Sequence, residues 1–187
     1  MLNPSEVSYS HYTGIEEFKD FQCEKSDYSD FVKNPNEATK YHNDRLGVTY
    51  VFKLQNQPIG FVTLAMSSLR KDKLPPERKE QKPFRDIPSL LLGHIARDTR
   101  YKGKGVGKII IDFTLSLAFK LGEEVGCRFV ILDAEDDVVD HYNKHYGFQP
   151  IPKSKIDKTT LMFFDLGLRN NPTTVNSQPQ TVNPRLT

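Results

Sequence analysis

The sequence has only two cysteines, Cys23 and Cys127, among its 187 residues. Two thiols supply neither a disulfide framework nor a four-thiolate zinc site, which excludes the protein classes built on them. No apolar run approaches the roughly 18–20 residues needed to cross a bilayer. The first ten residues have neither a basic start nor an apolar core, so no signal peptide is expected. We therefore expect a cytoplasmic protein with no membrane partner.

An excess of charge of one sign is also missing. The formal net charge is +2, and residues 168–187 contain two arginines and no acidic residue, so residues 1–167 are neutral. A neutral body excludes recruitment of nucleic acid by the overall field and leaves only a local basic patch open. We expect one domain over residues 1–167, followed by a disordered tail over 168–187, which is rich in Asn, Pro and Thr.

Hydrophobic periodicity predicts alternating helices and strands. The predicted helices cover residues 14–21, 27–34, 37–43, 105–121 and 136–146. The predicted strands cover residues 48–54, 59–66, 90–97, 129–134 and 160–166. This order indicates an α/β (α+β) fold, with a mixed central sheet flanked by helices and one βαβ unit in the second half.

Residues 70–86 interrupt the pattern with a long insertion that is dense in charge, more basic than acidic, and contains two prolines. A connector of this length in a small domain is usually functional or mobile. Two interpretations stay open, a solvated loop and a contact with RNA.

The segment between strand 90–97 and helix 105–121 has the composition of a phosphate site. Glycines there let a ligand approach the backbone closely, while the helix start offers free N–H groups and the positive end of the helix dipole. Lysines add positive charge. The residues assigned to this site are Lys102, Gly103, Lys104, Gly105, Val106, Gly107 and Lys108.

Two common phosphate motifs do not fit this segment. The P-loop and the dinucleotide fingerprint both reserve a later position for glycine. That position holds Lys108 when counted from Gly103 and Ile110 when counted from Gly105. A [Gln/Arg]-x-x-Gly-x-Gly pattern remains, and it matches residues 102–107 with Lys in the first place. A frame that begins two residues earlier also fits, but we prefer the later one because its last glycine opens the helix.

This pattern resembles the motif with which GNAT acetyltransferases hold the pyrophosphate of acetyl-CoA through backbone amides. The preceding strand is similar to the one on which that family binds the pantetheine arm, which assigns Ile95, Ala96 and Arg97 to the cosubstrate. Residues 141–148 resemble the family's Phe-Tyr-x-x-x-Gly-Phe ending, with histidine in place of the first Phe and one residue more between Tyr142 and Gly147. The resemblance covers residues 15–166 and implies a GNAT fold, acyltransferase activity and acetyl-CoA as cosubstrate.

Within the family, the chain is most similar to the transferase toxins of toxin–antitoxin pairs, which acetylate the amino group of aminoacyl-tRNA. The likeness lies in four stretches, residues 21–25, 47–51, 60–65 and 92–98. The chain departs from those toxins at Glu24, where they usually have Gly, and at His94, where they usually have Arg. The toxin interpretation implies tRNA and an antitoxin protein as partners, and the family's frequent dimers leave a homodimer open.

Acetyl transfer requires a neutral amine, a stabilised oxyanion and a protonated leaving thiolate. The resemblance implies that Tyr142 protonates the thiolate, although Tyr142 also lies on an apolar helix face and a core role stays open. His94 is a candidate base, acting directly or through water, or else a strand residue satisfied by a neighbour. His141 and His145 lie one helical turn apart, and we expect them to be solvated and not to bind metal.

The sequence therefore predicts an acetyl-CoA-dependent N-acetyltransferase that acts on a primary amine, with Tyr142 as its general acid. A toxin that acetylates aminoacyl-tRNA is the first alternative. A CoA-binding or interaction module without transfer activity is the second.

Overall fold

The computed structural model describes residues 1–79, 83–153 and 157–167. Its strands are β1 (Val7–His11), β2 (Val48–Leu54), β3 (Gln57–Arg70), β4 (Asp86–Arg97), β5 (Phe129–Ala134), β6 (Gln149–Pro150) and β7 (Thr160–Asp165). Its α-helices are α1 (Ser26–Lys33), α2 (Ala38–Asn43), α3 (Pro76–Lys79), α4 (Val106–Glu124) and α5 (Asp136–Tyr146). The strands form one sheet in the order β1-β2-β3-β4-β5-β7-β6, in which only β4 and β5 pair in parallel. The predicted mixed sheet with a βαβ unit is confirmed.

Two differences from the sequence-based prediction lie near the N-terminus. Residues 7–11 form the edge strand β1, where no regular element was predicted. Val7 and Tyr9 pack inward and alternate with polar side chains. This strand is too short for its alternation to stand out in the sequence. The helix predicted over 14–21 is only a 3-10 turn, Ile15–Phe18, but Phe18 and the following Phe21 are nonetheless buried.

The sheet separates two main apolar cores. On one face, α4 and α5 pack over a cluster that includes Val62, Ile110 and Leu132. On the other face, α1 and α2 cover a cluster rich in phenylalanine, Phe18, Phe21, Phe31 and Phe61. A Cβ atom on Gly60 would lie 2.9 Å from the carbonyl oxygen of Ala96 and 2.9 Å from the side chains of Ile110 and Val106. Glycine at this position therefore lets α4 lie close against β3 and β4.

The charged segment after β3 is folded onto the sheet over the part that the structure describes. It forms a 3-10 turn, Lys71–Lys73, followed by α3, and its Leu74 side chain is buried. Arg78 forms an ion pair at 3.2 Å with the buried carboxylate of Asp165. The segment lies at the end of β4 opposite Arg97. Its residues 80–82, like the predicted tail 168–187, lie outside the described residues.

In the described ranges, the longest helix is α4, and none of the helices is both long and apolar enough to span a membrane.

Candidate active site

A cleft opens in the middle of the sheet where β4 and β5 separate. These strands pair only over Ser89–Leu91 and Phe129–Ile131, so residues 92–97 of β4 have no strand partner on that side. A cavity of about 240 Å³ lies in the gap. Its walls come from β4, from the end of β5, from the loop before α1 and from α5.

A β-bulge in β4 lies at the point where the two strands part. Val62 pairs with Ile95 and Leu64 with Leu92, so Gly93 and His94 together face the single residue between Val62 and Leu64 on β3. A bulge bends its strand and increases the local twist. The bulge therefore accounts for the turning of the end of β4 away from β5.

A second cavity, of about 140 Å³, adjoins the first. Both are lined by Tyr142 and by the three β4 residues that the sequence assigned to the cosubstrate, Ile95, Ala96 and Arg97. The second is also lined by Gly107 of the glycine turn and by His141 and Tyr146 of α5. The two cavities thus follow the free edge of β4 from the α1 side to the start of α4.

The glycine turn leads into α4 and leaves the backbone N–H groups at the start of the helix without a side-chain cap. Gly103 and Gly105 have positive φ angles of 73° and 87°, in the left-handed region that favours glycine. Gly105 is the N-cap of α4, and no side chain caps the helix there. The N–H groups of the first helical turn, which begins with Val106 and Gly107, therefore remain available to an anion.

The lysines of the turn lie at the rim and do not line either cavity. Lys102 Nζ lies 2.6 Å from Glu24 Oε1, and Arg97 reaches the same oxygen at 3.4 Å. Hydrogen bonding from Lys102 holds the pKa of Glu24 below its ordinary value. Lys108 is paired with Asp112 at 2.5 Å, and Lys104 lies 4.9 Å from the ring centroid of Tyr101.

Asp98, at the junction of β4 and the turn, was not identified from the sequence. Its buried carboxylate accepts hydrogen bonds from the backbone N–H and the guanidinium of Arg100, at 2.7–2.9 Å, and from the N–H of Gln22 at 3.3 Å. Burial alone would raise the pKa of Asp98, but these hydrogen bonds lower it below its ordinary value. Asp98 therefore ties the loop before α1 to the glycine turn. An Asp between a strand and a turn is a common turn-initiating residue, a signal that could have identified it.

Tyr142 lies on α5 with its side chain in the wall shared by both cavities. Its ring packs edge-on against the buried ring of Phe148 at 5.9 Å, so it contributes to the core as well as to the cleft. Burial raises the pKa of Tyr142 well above its ordinary value. The hydroxyl therefore stays protonated at neutral pH and can donate a hydrogen bond or a proton.

His94 lies on the other side of β4, away from both cavities. Its ring stacks on Phe31 with centroids 3.9 Å apart and meets Tyr28 edge-on at 5.8 Å. Its Nδ1 is buried without a hydrogen-bond partner, and burial lowers the pKa of the imidazole. The structure thus brings Tyr142 together with the β4 residues and Gly107, and it separates His94 from them.

Tyr28, Lys25 and Glu135 also line the first cavity, and no sequence pattern assigned them to a site. Tyr28 on α1 forms part of the wall, and Lys25 is ion-paired with Glu135 across the cavity. Lys25 precedes α1 and Glu135 precedes α5, so this pair joins segments that are 110 residues apart in the chain. In the parts of the chain that the structure describes, His, Cys, Asp and Glu form no group suited to a metal ion.

No protein-family model matches the chain. Comparison with known proteins finds both sequence relatives and similar solved structures. A probable toxin TacT of Sinorhizobium fredii is 29% identical over 133 residues, which cover 65% of this chain and 71% of that protein. A tRNA-acetylating toxin of Mycobacterium tuberculosis is 23% identical over 104 residues, which cover 56% of this chain and 62% of that protein.

Solved structures match over a larger share of the chain. AtaT complexed with acetyl-methionyl-tRNAfMet has a TM-score of 0.76 at 18% identity and covers 88% of this chain and 97% of its own. AtaTR bound with AcCoA has a TM-score of 0.71 at 19% identity and covers 89% of this chain and 97% of its own. At such identities these structures establish the fold. Together with the sequence relatives, they confirm that the chain is similar to the GNAT acetyltransferases and, within them, to the tRNA-acetylating toxin-like branch.

Proposed function

We propose that this protein is the toxin of a toxin–antitoxin pair and acetylates the α-amino group of aminoacyl-tRNA from acetyl-CoA. The observation that carries the proposal is the position of Tyr142. Tyr142 faces the cleft beside the free edge of β4, and it lines the second cavity together with Gly107. An acid, a strand edge and an open helix start are what a transferase of this kind needs in one place.

The enzyme class and the cosubstrate rest on sequence relatives and on fold neighbours. The protein is an acyltransferase, and acetyl-CoA is its cosubstrate, as in the AtaTR structure bound with AcCoA. The chain itself fits that molecule, because residues 92–97 present unpaired strand edge to an extended pantetheine arm. The first N–H groups of α4 suit its diphosphate.

In the proposed reaction, the amine nitrogen attacks the thioester carbonyl carbon, an N–C bond forms and the C–S bond breaks. The Tyr142 hydroxyl gives its proton to the departing sulfur, and the nitrogen loses a proton to solvent, from which Tyr142 is reprotonated. Backbone N–H groups of Ile95 and Arg97 are assigned to the developing oxyanion or to the pantetheine arm. The side chain of His94 takes no part in these steps.

The cleft favours an acceptor that needs no strong base. Among the described residues that line the first cavity there is no histidine, and both glutamates, Glu24 and Glu135, are ion-paired. An α-amine with a pKa near 7.7–8.0 is roughly a quarter unprotonated at pH 7.4, but a lysine amine is only about 0.1% unprotonated. This difference supports aminoacyl-tRNA over a protein lysine as the acceptor.

The experiment is transfer of radiolabelled acetyl groups from acetyl-CoA to bulk aminoacyl-tRNA, with lysine peptides and small polyamines as competing acceptors. We expect label in the aminoacyl-tRNA, and we expect Tyr142→Phe to lower turnover by about 10²–10⁴-fold, the usual size of a general-acid contribution. The acetyl-CoA dissociation constant should stay within about twofold of the wild-type value, because the substitution leaves the strand edge and the turn intact.

Other outcomes would replace the proposal. Label only in peptides or polyamines would assign a different amine, and acetyl-CoA binding without transfer to any acceptor would favour a binding module. The toxin role has its own test: expression of the chain alone should arrest growth, and a small protein encoded beside it should restore growth. AtaT has been solved bound to the C-terminus of its antitoxin AtaR, which supports an antitoxin as the partner here.

A further inference from the structure

Tyr28 occupies the wall of the first cavity on the α1 side. It is the third residue of α1 and is partly buried, and it lines the same cavity as Tyr142. It does not line the second cavity, where Gly107 and the start of α4 lie. Tyr28 is therefore on the side of the cleft away from the expected diphosphate, where an acceptor would enter.

The ring of Tyr28 is held in place from behind. His94 meets it edge-on, with centroids 5.8 Å apart and an interplanar angle of 79°, and His94 is itself stacked on the buried ring of Phe31. The start of α1 is fixed to the preceding loop by Ser29, whose hydroxyl accepts from the Cys23 N–H at 3.0 Å. Tyr28 thus packs on an aromatic support. The charges of Glu135 and Lys25, which line the same cavity, act on its hydroxyl, so its polar end lies on the cavity side.

The Tyr28 hydroxyl is chemically suited to a neutral amine. Within the described residues, no hydrogen bond to protein occupies this hydroxyl. A neutral oxygen can accept an N–H from an uncharged amine, whereas an unpaired carboxylate at the same place would favour the ammonium form, which cannot attack. The nearby carboxylate of Glu135 is paired with Lys25. Burial raises the pKa of Tyr28, so the hydroxyl remains neutral throughout the physiological range.

We propose that Tyr28 binds the acceptor, its hydroxyl oxygen accepting an N–H of the attacking amine and turning the nitrogen lone pair towards the thioester. The inference rests on the proposed function and adds a residue to it. It also gives His94 a role as the positioning residue behind Tyr28.

The test compares Tyr28→Phe with Tyr41→Phe, a matched control on α2: Tyr41 is exposed, lines neither cavity, and contacts Phe31 only through its ring, which phenylalanine keeps. The substrates are radiolabelled acetyl-CoA and bulk aminoacyl-tRNA. For Tyr28→Phe we expect kcat/KM for the acceptor to fall roughly 3- to 10-fold, the size of one neutral hydrogen bond. The acetyl-CoA dissociation constant and the melting temperature should match those of wild type, and Tyr41→Phe should match wild type throughout.

An unchanged kcat/KM in Tyr28→Phe would overturn the inference. So would a parallel loss of acetyl-CoA affinity and thermal stability, which would mean that Tyr28 only supports the fold. If the wild-type protein labels no aminoacyl-tRNA at all, the proposed function fails. If it does and Tyr28→Phe equals it, only the role of Tyr28 fails.

Discussion

The imidazole of His94 lies between two aromatic rings, stacked on Phe31 and in edge contact with Tyr28. Its pKa is lowered because burial disfavours the charged form. A histidine in this position supports its neighbours as an uncharged ring. It cannot exchange protons with a substrate in the cleft without leaving the stack.

Replacement of His94 by Phe tests this interpretation. Phenylalanine keeps the stacked ring and removes the titratable group, so turnover should stay within about threefold of wild type, far from the 10²–10⁴-fold loss of a missing general base. Because the folded pKa is below the unfolded value near 6.5, the unfolded chain binds the extra proton first. His94 therefore costs stability as the pH falls from about 6.5 towards the folded pKa.

Thermal melts of both proteins between pH 8 and pH 5 give the readout. Over the acidic part of this range, the melting temperature of wild type should fall more than that of His94→Phe. Above pH 7 the plots of melting temperature against pH should run parallel. A collapse of turnover in the variant, with an unchanged melting temperature, would restore His94 as the base.

Among single residues, Tyr142 was predictable and Tyr28 was not. Tyr142 lies on the apolar face of a predicted helix, five residues before the Gly-Phe that ends the family-like segment. Tyr28 has only a helical spacing shared with Phe31, which predicts burial and says nothing about a cavity. Its neighbours in the cleft are contributed by β5 and α5, about a hundred residues away in sequence.

Among the elements, we expect the first turn of α4 to determine cosubstrate binding. Gly107 is its second residue, and a Cβ there would meet only the Tyr146 hydroxyl, at an ordinary contact distance of 3.6 Å. The protein itself can thus accept alanine at this position. We expect the methyl group to obstruct a ligand bound to the open N–H groups, because a helical Cβ points towards the helix N-terminus.

Gly107→Ala should therefore move stability and binding in opposite directions. The better helix propensity of alanine raises the free energy of unfolding by up to about 1 kcal/mol. Acetyl-CoA affinity should fall by at least roughly tenfold, the loss expected for one charge-assisted hydrogen bond. Calorimetric titration and thermal melts measure the two effects.

Ser116→Ala, on the exposed side of the same helix, is the matched control. It should leave the acetyl-CoA affinity unchanged. Equal affinity in Gly107→Ala and wild type would mean that the diphosphate does not bind at this helix start.

Elements with strong local signals were predicted almost to the residue, and those without them were not. The bounds of β5 and α5 agree with the prediction, since a bounded β-branched run and a helix ended by a left-handed glycine are local features. The strand β1 and the lengthening of β3 and β4 depend on pairing with neighbours, which spacing along one chain does not specify.

At the scale of the whole molecule, every described element that lines the cleft lies before Gly167. The single domain proposed for residues 1–167 is therefore expected to be sufficient for folding and for binding acetyl-CoA. A chain shortened to residues 1–167 should keep its melting temperature within about 2 °C and its acetyl-CoA dissociation constant within about twofold. If the shortened chain no longer unfolded cooperatively on heating, residues 168–187 would have to belong to the folded domain.

The zero net charge of residues 1–167 is relevant to the binding of an RNA acceptor rather than to the binding of acetyl-CoA. Arg97, which lines both cavities, and Lys102 at the rim share one carboxylate, Glu24. Lys25 in the first cavity is paired with Glu135, so even the local field is partly compensated. A phosphate ligand bound by backbone N–H groups does not need that field, because helix-start amides supply the partial charge themselves.

The sequence by itself determined the order of elements, the glycine turn before α4 and the position of Tyr142 on the apolar face of α5, because helix period, strand runs and turn glycines act over a few residues. Only the tertiary structure decided which side of β4 His94 faces. Simple alternation would put Leu90, Leu92 and His94 on one face, towards α4 and α5. The bulge at Gly93 and His94 exists only when β3 pairs with β4, and it shifts the alternation by one residue. Ile95 then takes the α4 side, and His94 turns towards α1 to support Tyr28.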